Sequence, residues 1–422
     1  MYNQKRVNDL LKQMSFVRFG GTKEEFKAAK LIQSKLKEIK IPSVLESFSV
    51  QTSTIKTAKL EVLAPKKITI PCTAYLCCAN TTQKGLEADF YYFEQAHDVN
   101  LKEAKGKICL VNGYVGRKVY KEFIKAGAVG LISFNGNIDF PDEYDLDQRE
   151  MRKGLAQLGN MPAVNILVKD ALKLIDNDTK RVRITTLQQP STSQSHNVVC
   201  EIKGFEGNDT IALTAHYDSV HFSKGAYDNA TGSVCLLALV EHFSKHQPRH
   251  NLKFIWCGSE ERGLLGSVAY VEKHKKILEQ IKLCINVDMI GSILGKRIAE
   301  STADMSLVNY IDYLGKEIGF PINSSQGVYS SDSTPFADVG IPAVSFARIT
   351  PHGGGDIHHR YDVLEHLSER FLKEDIEFIL EFTSRMANAY VIPVPRVIPQ
   401  NMIDEIDKYY CREKDTKKIK LL

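Results

Sequence analysis

The chain has 422 residues, with 55 Lys and Arg against 51 Asp and Glu, for a formal net charge of +4. Hydrophobic residues make up 43% and charged residues 25%, ordinary globular usage that excludes a fibrous or disordered protein and leaves room for two or three domains. So small a charge excess is no nucleic-acid footprint, and no apolar run approaches the ~18 residues that a membrane-spanning helix needs.

The N-terminal stretch MYNQKRVNDLLKQMSF mixes charges with leucines and lacks the uninterrupted apolar centre of a signal peptide. Cytoplasmic location is the expectation, with secretion the alternative if Met1 is not the natural start. Within residues 23–40, Phe26, Ala29, Ile32, Leu36 and Ile39 recur at three- and four-residue steps behind Thr22. That spacing predicts an amphipathic helix with Thr22 as its N-cap. Past Pro42 the pattern alternates, as in antiparallel strands. From 56 to 188 the predicted elements are short: the strand in GKICLVNGY, a helix at 117–127, the strand in AVGLISFNG, and MPAVNILVKDALKLI as a strand running into a helix. Polar QQPSTSQSHN, residues 188–197, reads as a linker.

From 197 onward the signal is stronger. IALTA (211–215), FIWC (254–257), LCINV (283–287) and AVSFA (343–347) are short continuous apolar runs. Between and after them lie helical patterns at 230–245, 265–280, 304–318 and 364–391. Buried strands alternating with helices predict an α/β fold, a mostly parallel mixed sheet covered by helices on both faces. Nine cysteines, odd in number and partly inside the apolar runs, read as buried free thiols, and no C-x-x-C pair suggests a zinc knuckle. The segment 401–422 reads as a basic, solvated tail.

In folds of this class ligands bind beyond the carboxyl ends of the strands. There the chain carries His216-Tyr217-Asp218 after IALTA, Glu260-Glu261 after FIWCGS, Asp288 after LCINV, and Asp228 where the following helix should begin. After AVSFA a glycine-rich loop leads to Ile357-His358-His359-Arg360-Tyr361-Asp362. Each group alone has an ordinary reading: a cap, a solvated loop, a hydrogen-bonded histidine. Together, two histidines and four acids at one sheet end would repel unless cations bind among them. Two zinc ions sharing one carboxylate need two imidazoles and three carboxylates. His216, Asp228, Asp288, Glu261 and one histidine near 358 supply that set. Glu260 is left beside them, suited to act as a general base, and two ions ~3.5–4 Å apart could polarise a carbonyl while activating water.

The motifs HYDS (216–219), AYDNATG (226–232), GSEERGLLGS (258–267), NVDMIG (286–291), SSDSTPF (330–336) and IHHRYD (357–362) resemble, in order and spacing, the co-catalytic di-zinc aminopeptidase family. That fold is shared with glutamate carboxypeptidase and transferrin-receptor ectodomains, and the resemblance covers roughly 1–55 and 190–395. It implies two zinc ions per chain and a peptide substrate, with neither nucleic acid nor membrane as partner. By the same resemblance His216 and Asp288 hold one zinc, Glu261 and His358 the other, and Asp228 bridges both. Glu260 is then the general base, Asp218 orients the His216 imidazole, and Asp362 stands at the acidic position four residues beyond the last histidine. His358 stands four before Asp362 as the family's last ligand does; His359, where the family usually has Thr, and His352 are the other candidates. Ser333 stands where many relatives have His, and Ile357 where the family often has an oxyanion-supporting Tyr, so Tyr329 is a candidate for that role. Arg348 and Arg360 are candidate substrate-binding residues.

Residues 56–188 resemble a protease-associated domain inserted into a peptidase domain made of 1–55 and 189–400. The implied activity is that of an exopeptidase, foremost an aminopeptidase using a two-zinc-activated water with Glu260 as base. The alternatives are a carboxypeptidase or dipeptidase, in which an arginine clamps the substrate carboxylate, a glutaminyl cyclase, and a non-catalytic binding module.

Overall fold

The computed structural model describes residues 2–112 and 115–412. The chain divides into two compact units, Met1–Ser49 with Gln194–Leu422, and Val50–Ser193.

The first unit is built on strands β1 (Thr210–His216), β2 (Asn251–Cys257), β3 (Ile281–Val287), β4 (Lys296–Thr302), β5 (Asn323–Gln326) and β6 (Ala343–Ile349). Their order is β5-β4-β6-β3-β1-β2, closed on the β2 side by residues 198–202 of the long strand Arg181–Ile202. The four central strands, β6-β3-β1-β2, run parallel; β4 is antiparallel to β6, and 198–202 is antiparallel to β2. All seven residues of β1 are buried, as expected of a strand covered on both faces. The predicted apolar runs are therefore the central strands, and the mostly parallel α/β fold is the one observed.

Eight helices flank this sheet among the described residues: α1 (Gln4–Met14), α2 (Lys23–Glu38), α3 (Thr231–Phe243), α4 (Leu265–Lys273), α5 (Met305–Ile318), α6 (Ser333–Asp338), α7 (Glu369–Asn388) and α8 (Gln400–Tyr409). Helix α3 is apolar nearly all round because it is enclosed: Val234, Leu236, Leu237, Leu239 and Val240 are fully buried. Gly232 in its first turn is required by close approach, since a Cβ there would stand 2.3 Å from the Val287 carbonyl oxygen. Thr22 caps α2 as expected, its side chain accepting from Glu25 N–H.

Helix α1 is fastened to α3 through Glu241. Its carboxylate accepts from Asn3 N–H at 3.1 Å and from Lys245 at 3.0 Å, and pairs with Arg6 at 2.7 Å. Burial would raise this carboxyl, but the Asn3 N–H and the two cations hold it below its ordinary value. A depressed folded pKa means stability that is present above the unfolded value near ~4.3 and is lost as pH falls through the folded one. Glu241→Gln should therefore cost about 1–2 kcal/mol near neutrality. The gap in melting temperature between parent and variant should close below pH ~4.

Three expectations differ from what is seen. Residues 188–197 are not a loop but part of the continuous strand Arg181–Ile202, whose polar side chains follow from a strand that is largely exposed at 189–192. The helical pattern at 265–280 ends at Lys273, with a short 3-10 turn at Leu278–Gln280. Of the segment read as a solvated tail, 401–409 lies in α8, which buries Met402 and Ile406 against Ile398 and Ile341; residues 413–422 lie outside the described residues.

In the second unit the strands Leu86–Phe93, Ile108–Val111, Gly130–Asn135 and Ala163–Leu167 pair in parallel, with antiparallel partners at either end. Helices Arg117–Lys125 and Val168–Asp176 stand where helical patterns were expected. Tyr120, Phe123, Phe93 and Leu131 pack in one core of this unit.

Candidate metal centre

Strand β1 has β2 on one side and β3 on the other, so the chain order reverses direction next to β1, where an open α/β sheet leaves a crevice. His216 is the last residue of β1, and Asp288 follows β3 directly. Glu260 and Glu261 lie in the turn after β2, behind Ser259, whose φ of 53° turns the chain sharply. Asp228 sits in the π-type turn Ala226–Ala230 that opens α3, and His358 in the loop after β6. His216 Nε2 is 3.0 Å from Asp228 Oδ1 and 3.4 Å from Asp288 Oδ1. His358 Nε2 is 3.0 Å from Glu261 Oε2 and 3.3 Å from Asp228 Oδ2. The two oxygens of one carboxylate thus face two different imidazoles.

Long-range hydrogen bonds hold these positions. Asp218 accepts from Glu260 N–H at 3.0 Å and Glu261 N–H at 3.2 Å, one on each oxygen. Asp362 does the same for Tyr227 N–H (2.7 Å) and Asp228 N–H (3.1 Å). Asn229 accepts from Gly232 N–H and Met289 N–H and donates to the Val287 carbonyl, and Thr231 accepts from Ile290 N–H. These bonds tie the turn carrying Asp228 to the end of β3, where Asp288 stands. Asp218 also lies 3.5 Å from His216 Nδ1, so its strongest contacts are with the amides of the Glu-Glu pair rather than with the imidazole.

The electrostatics ask for cations. Asp228, Glu260, Asp288, Asp218 and Asp332 are all buried. Among the described residues no Lys or Arg pairs with Asp228 or Asp288, and the Asp288 Oδ1 atom is buried without a hydrogen-bond partner. Burial would push the His216 imidazole down, but Glu260 and Asp288 more than offset this and hold it well above its usual value. Burial raises the Glu260 carboxyl far above the ordinary range, with Glu261, Asp332 and Asp288 adding to it and His216 opposing. Burial pushes Asp332 up to about 7. His216, Asp228 and Asp288, and likewise Asp228, Glu261 and His358, each bring three donor atoms within 4.8 Å of one another, and Asp228 belongs to both groups. Imidazole nitrogens and carboxylate oxygens in threes are the donor set of catalytic zinc, so the residues fit the ions expected of them.

Of the three histidines weighed, His358 is the one whose Nε2 reaches Asp228 and Glu261; His359 is buried, its Nδ1 accepting from Tyr361 N–H, and His352 is exposed. The Tyr329 hydroxyl is buried without a partner, in the field of Asp288, Asp228 and Glu260. Arg348 is committed elsewhere: it is buried, donates from Nε to the Ser292 carbonyl at 2.7 Å and lies 4.0 Å over the Phe371 ring, and that packing works against a substrate-clamping role. Arg360 is half-buried. Buried Asp332, Arg18 and Glu25 were not singled out from the sequence, which carries no local signal for them.

The family model described as Peptidase family M28 matches residues 197–383, the stretch that carries all five donors and Glu260. That stretch of the chain is similar to peptidase family M28. The chain is 28% identical over 376 residues to "Aminopeptidase YwaD" of Bacillus subtilis (strain 168), covering 85% of this chain and 78% of that one. It is 29% identical over 231 residues to an "Aminopeptidase" of Pseudomonas aeruginosa (strain UCBPP-PA14), covering 53% of this chain and 40% of that one. Among solved structures, BSAP, described as a zinc aminopeptidase from Bacillus subtilis, superposes with a TM-score of 0.75 at 24% identity, covering 96% of this chain and 99% of that one.

Proposed function

We propose that this chain is a zinc aminopeptidase of the M28 kind that hydrolyses N-terminal residues from peptides, with two zinc ions per chain. The observation that carries this reading is the shared Asp228, whose two oxygens face His216 and His358. His216 and Asp288 would hold one ion, Glu261 and His358 the other, with Asp228 common to both. The aminopeptidases of B. subtilis and P. aeruginosa to which the chain is similar agree with it. The unit Val50–Ser193 is, in this reading, a protease-associated domain without catalytic groups.

Zinc held by these residues supplies Lewis acidity to the scissile carbonyl and to the attacking water. Glu260, 9% exposed and next to the donors in sequence but outside both donor groups, takes the proton from that water and returns it to the leaving amine. Its raised affinity for a proton suits the second half of that cycle. The Tyr329 hydroxyl is free to donate to the carbonyl oxygen as negative charge develops there. Asp218 and Asp362 orient the chain that bears the carboxylates. A carboxypeptidase needs an available cation for the substrate carboxylate, and the burial of Arg348 against Phe371 counts against it.

Metal analysis of protein purified without chelator should find two zinc ions per chain. Aminoacyl-chromogenic substrates should be cleaved, and N-acetylated ones spared. Chelation should abolish activity and added zinc restore it. Zinc-free protein that cannot be loaded, or faster cleavage of N-blocked peptides bearing a free C-terminal acid, would overturn the reading.

A further inference from the structure

Arg18, between α1 and α2, and Glu25, in the first turn of α2, are two buried ionisable side chains with no partner of opposite sign bound to them among the described residues. Arg18 is completely buried, and every hydrogen bond from its guanidinium ends on a backbone carbonyl. Two of those carbonyls, Met14 and Phe16, belong to its own segment. The other three belong to the loop between His216 and Asp228: Nε donates to Tyr217 at 2.5 Å, Nη1 to Lys224 at 2.5 Å and Nη2 to Gly225 at 2.7 Å. The backbone adds to this, with Arg18 N–H donating to Ser219 Oγ and Ser219 N–H to the Arg18 carbonyl.

Glu25 reaches the other catalytic turn. Its Oε1 accepts from Ser259 Oγ at 3.0 Å and Ser195 Oγ at 2.6 Å, and its Oε2 from Gly21 N–H at 2.6 Å. Ser259 is the residue before Glu260. Gly20 presses so closely on it that a Cβ would stand 2.5 Å from Ser259 Oγ, and Arg262 donates back to the Gly20 carbonyl. One short stretch therefore touches the loop between His216 and Asp228 and the turn of Glu260 and Glu261.

A core that needed only filling would place an apolar side chain at 18, since burying a guanidinium is costly unless all its donors are used. A planar five-donor fork instead fixes several carbonyls at set distances. We propose that Arg18 and Glu25 are positioning residues of the two-metal site: they hold the loops of its donors and its base in register, so that the site is formed before zinc arrives. This rests on the zinc reading above. Outer partners of metal ligands set affinity by about 10- to 100-fold.

The experiment compares parent, Arg18→Lys, Arg18→Met and Glu25→Gln, each shown folded by circular dichroism and gel filtration. Zinc affinity is measured by competition with a chromophoric chelator, and the cobalt-substituted proteins are compared by their visible spectra. Lysine keeps the charge at 18 but not the fork, so both Arg18 variants should lose affinity by about 10-fold or more and shift the cobalt bands. Glu25→Gln should lower kcat with KM unchanged. If Arg18→Met does not fold, Arg18→Lys and Glu25→Gln carry the comparison. Parent-like affinity, spectrum and kcat in the folded variants would overturn the proposal while leaving the zinc reading intact. A parent that binds no zinc would instead remove the reading on which it rests.

Discussion

Glu260→Gln should leave the fold and the zinc content unchanged and lower kcat by ~10² or more, the usual contribution of a positioned general base. The substitution keeps the shape of the side chain and the Glu260 N–H that donates to Asp218. What it removes is the ability to accept a proton, and it does so at a residue outside both donor groups. Steady-state kinetics with metal analysis on the same sample separates the possibilities. Undiminished kcat would take the base role from Glu260, and lost zinc would make it a ligand. The pattern expected is a fall in kcat with KM nearly constant, because the proton transfer belongs to the transition state.

Asp228→Asn should have the larger effect on metal. Asp228 belongs to both three-donor groups, so one substitution weakens both at once. An amide offers one oxygen and no charge where the carboxylate offers two oxygens to two imidazoles. The amide hydrogen bonds to Asp362 are unaffected, and the turn should keep its shape. Zinc affinity should fall by more than the ~10²-fold that loss of an outer partner costs, with activity going with it. Chelator competition measures this directly; two tightly held zinc ions in the variant would show that Asp228 is not the common ligand.

The parts of this site that were legible from the sequence are those adjacent to strong local signals. His216 and Asp288 each stand at the end of an apolar run, and a parallel sheet puts such ends together. Glu260 and Glu261 follow the run FIWC by only two residues. Asp228 was legible because its turn precedes a helix. The contacts of Asp218 were not, because its partners lie 42 and 43 positions away and nothing local announces them. Arg18 was hidden for the same reason: an arginine between two helices reads as solvated until the fold wraps five carbonyls around it. The strand through 188–197 was obscured by its own exposure, since polar residues on an uncovered stretch look like a linker. Helix α8 was lost in a run of charges that outweighed Met402 and Ile406.

Asp218 and Asp362 each grip two consecutive amide hydrogens rather than two side chains. Sequence drift in this neighbourhood is therefore filtered in two different ways. At 228, 260 and 261 the side chain itself is subject to selection. At 227 most of the twenty residues can supply what Asp362 takes, because every residue but one carries a backbone N–H. The residue barred at all four positions is proline. Lineages descended from this chain should never acquire that ring at any of the four positions, and at 227 the buried Tyr side chain, whose hydroxyl donates to the Arg348 carbonyl, narrows the choice further.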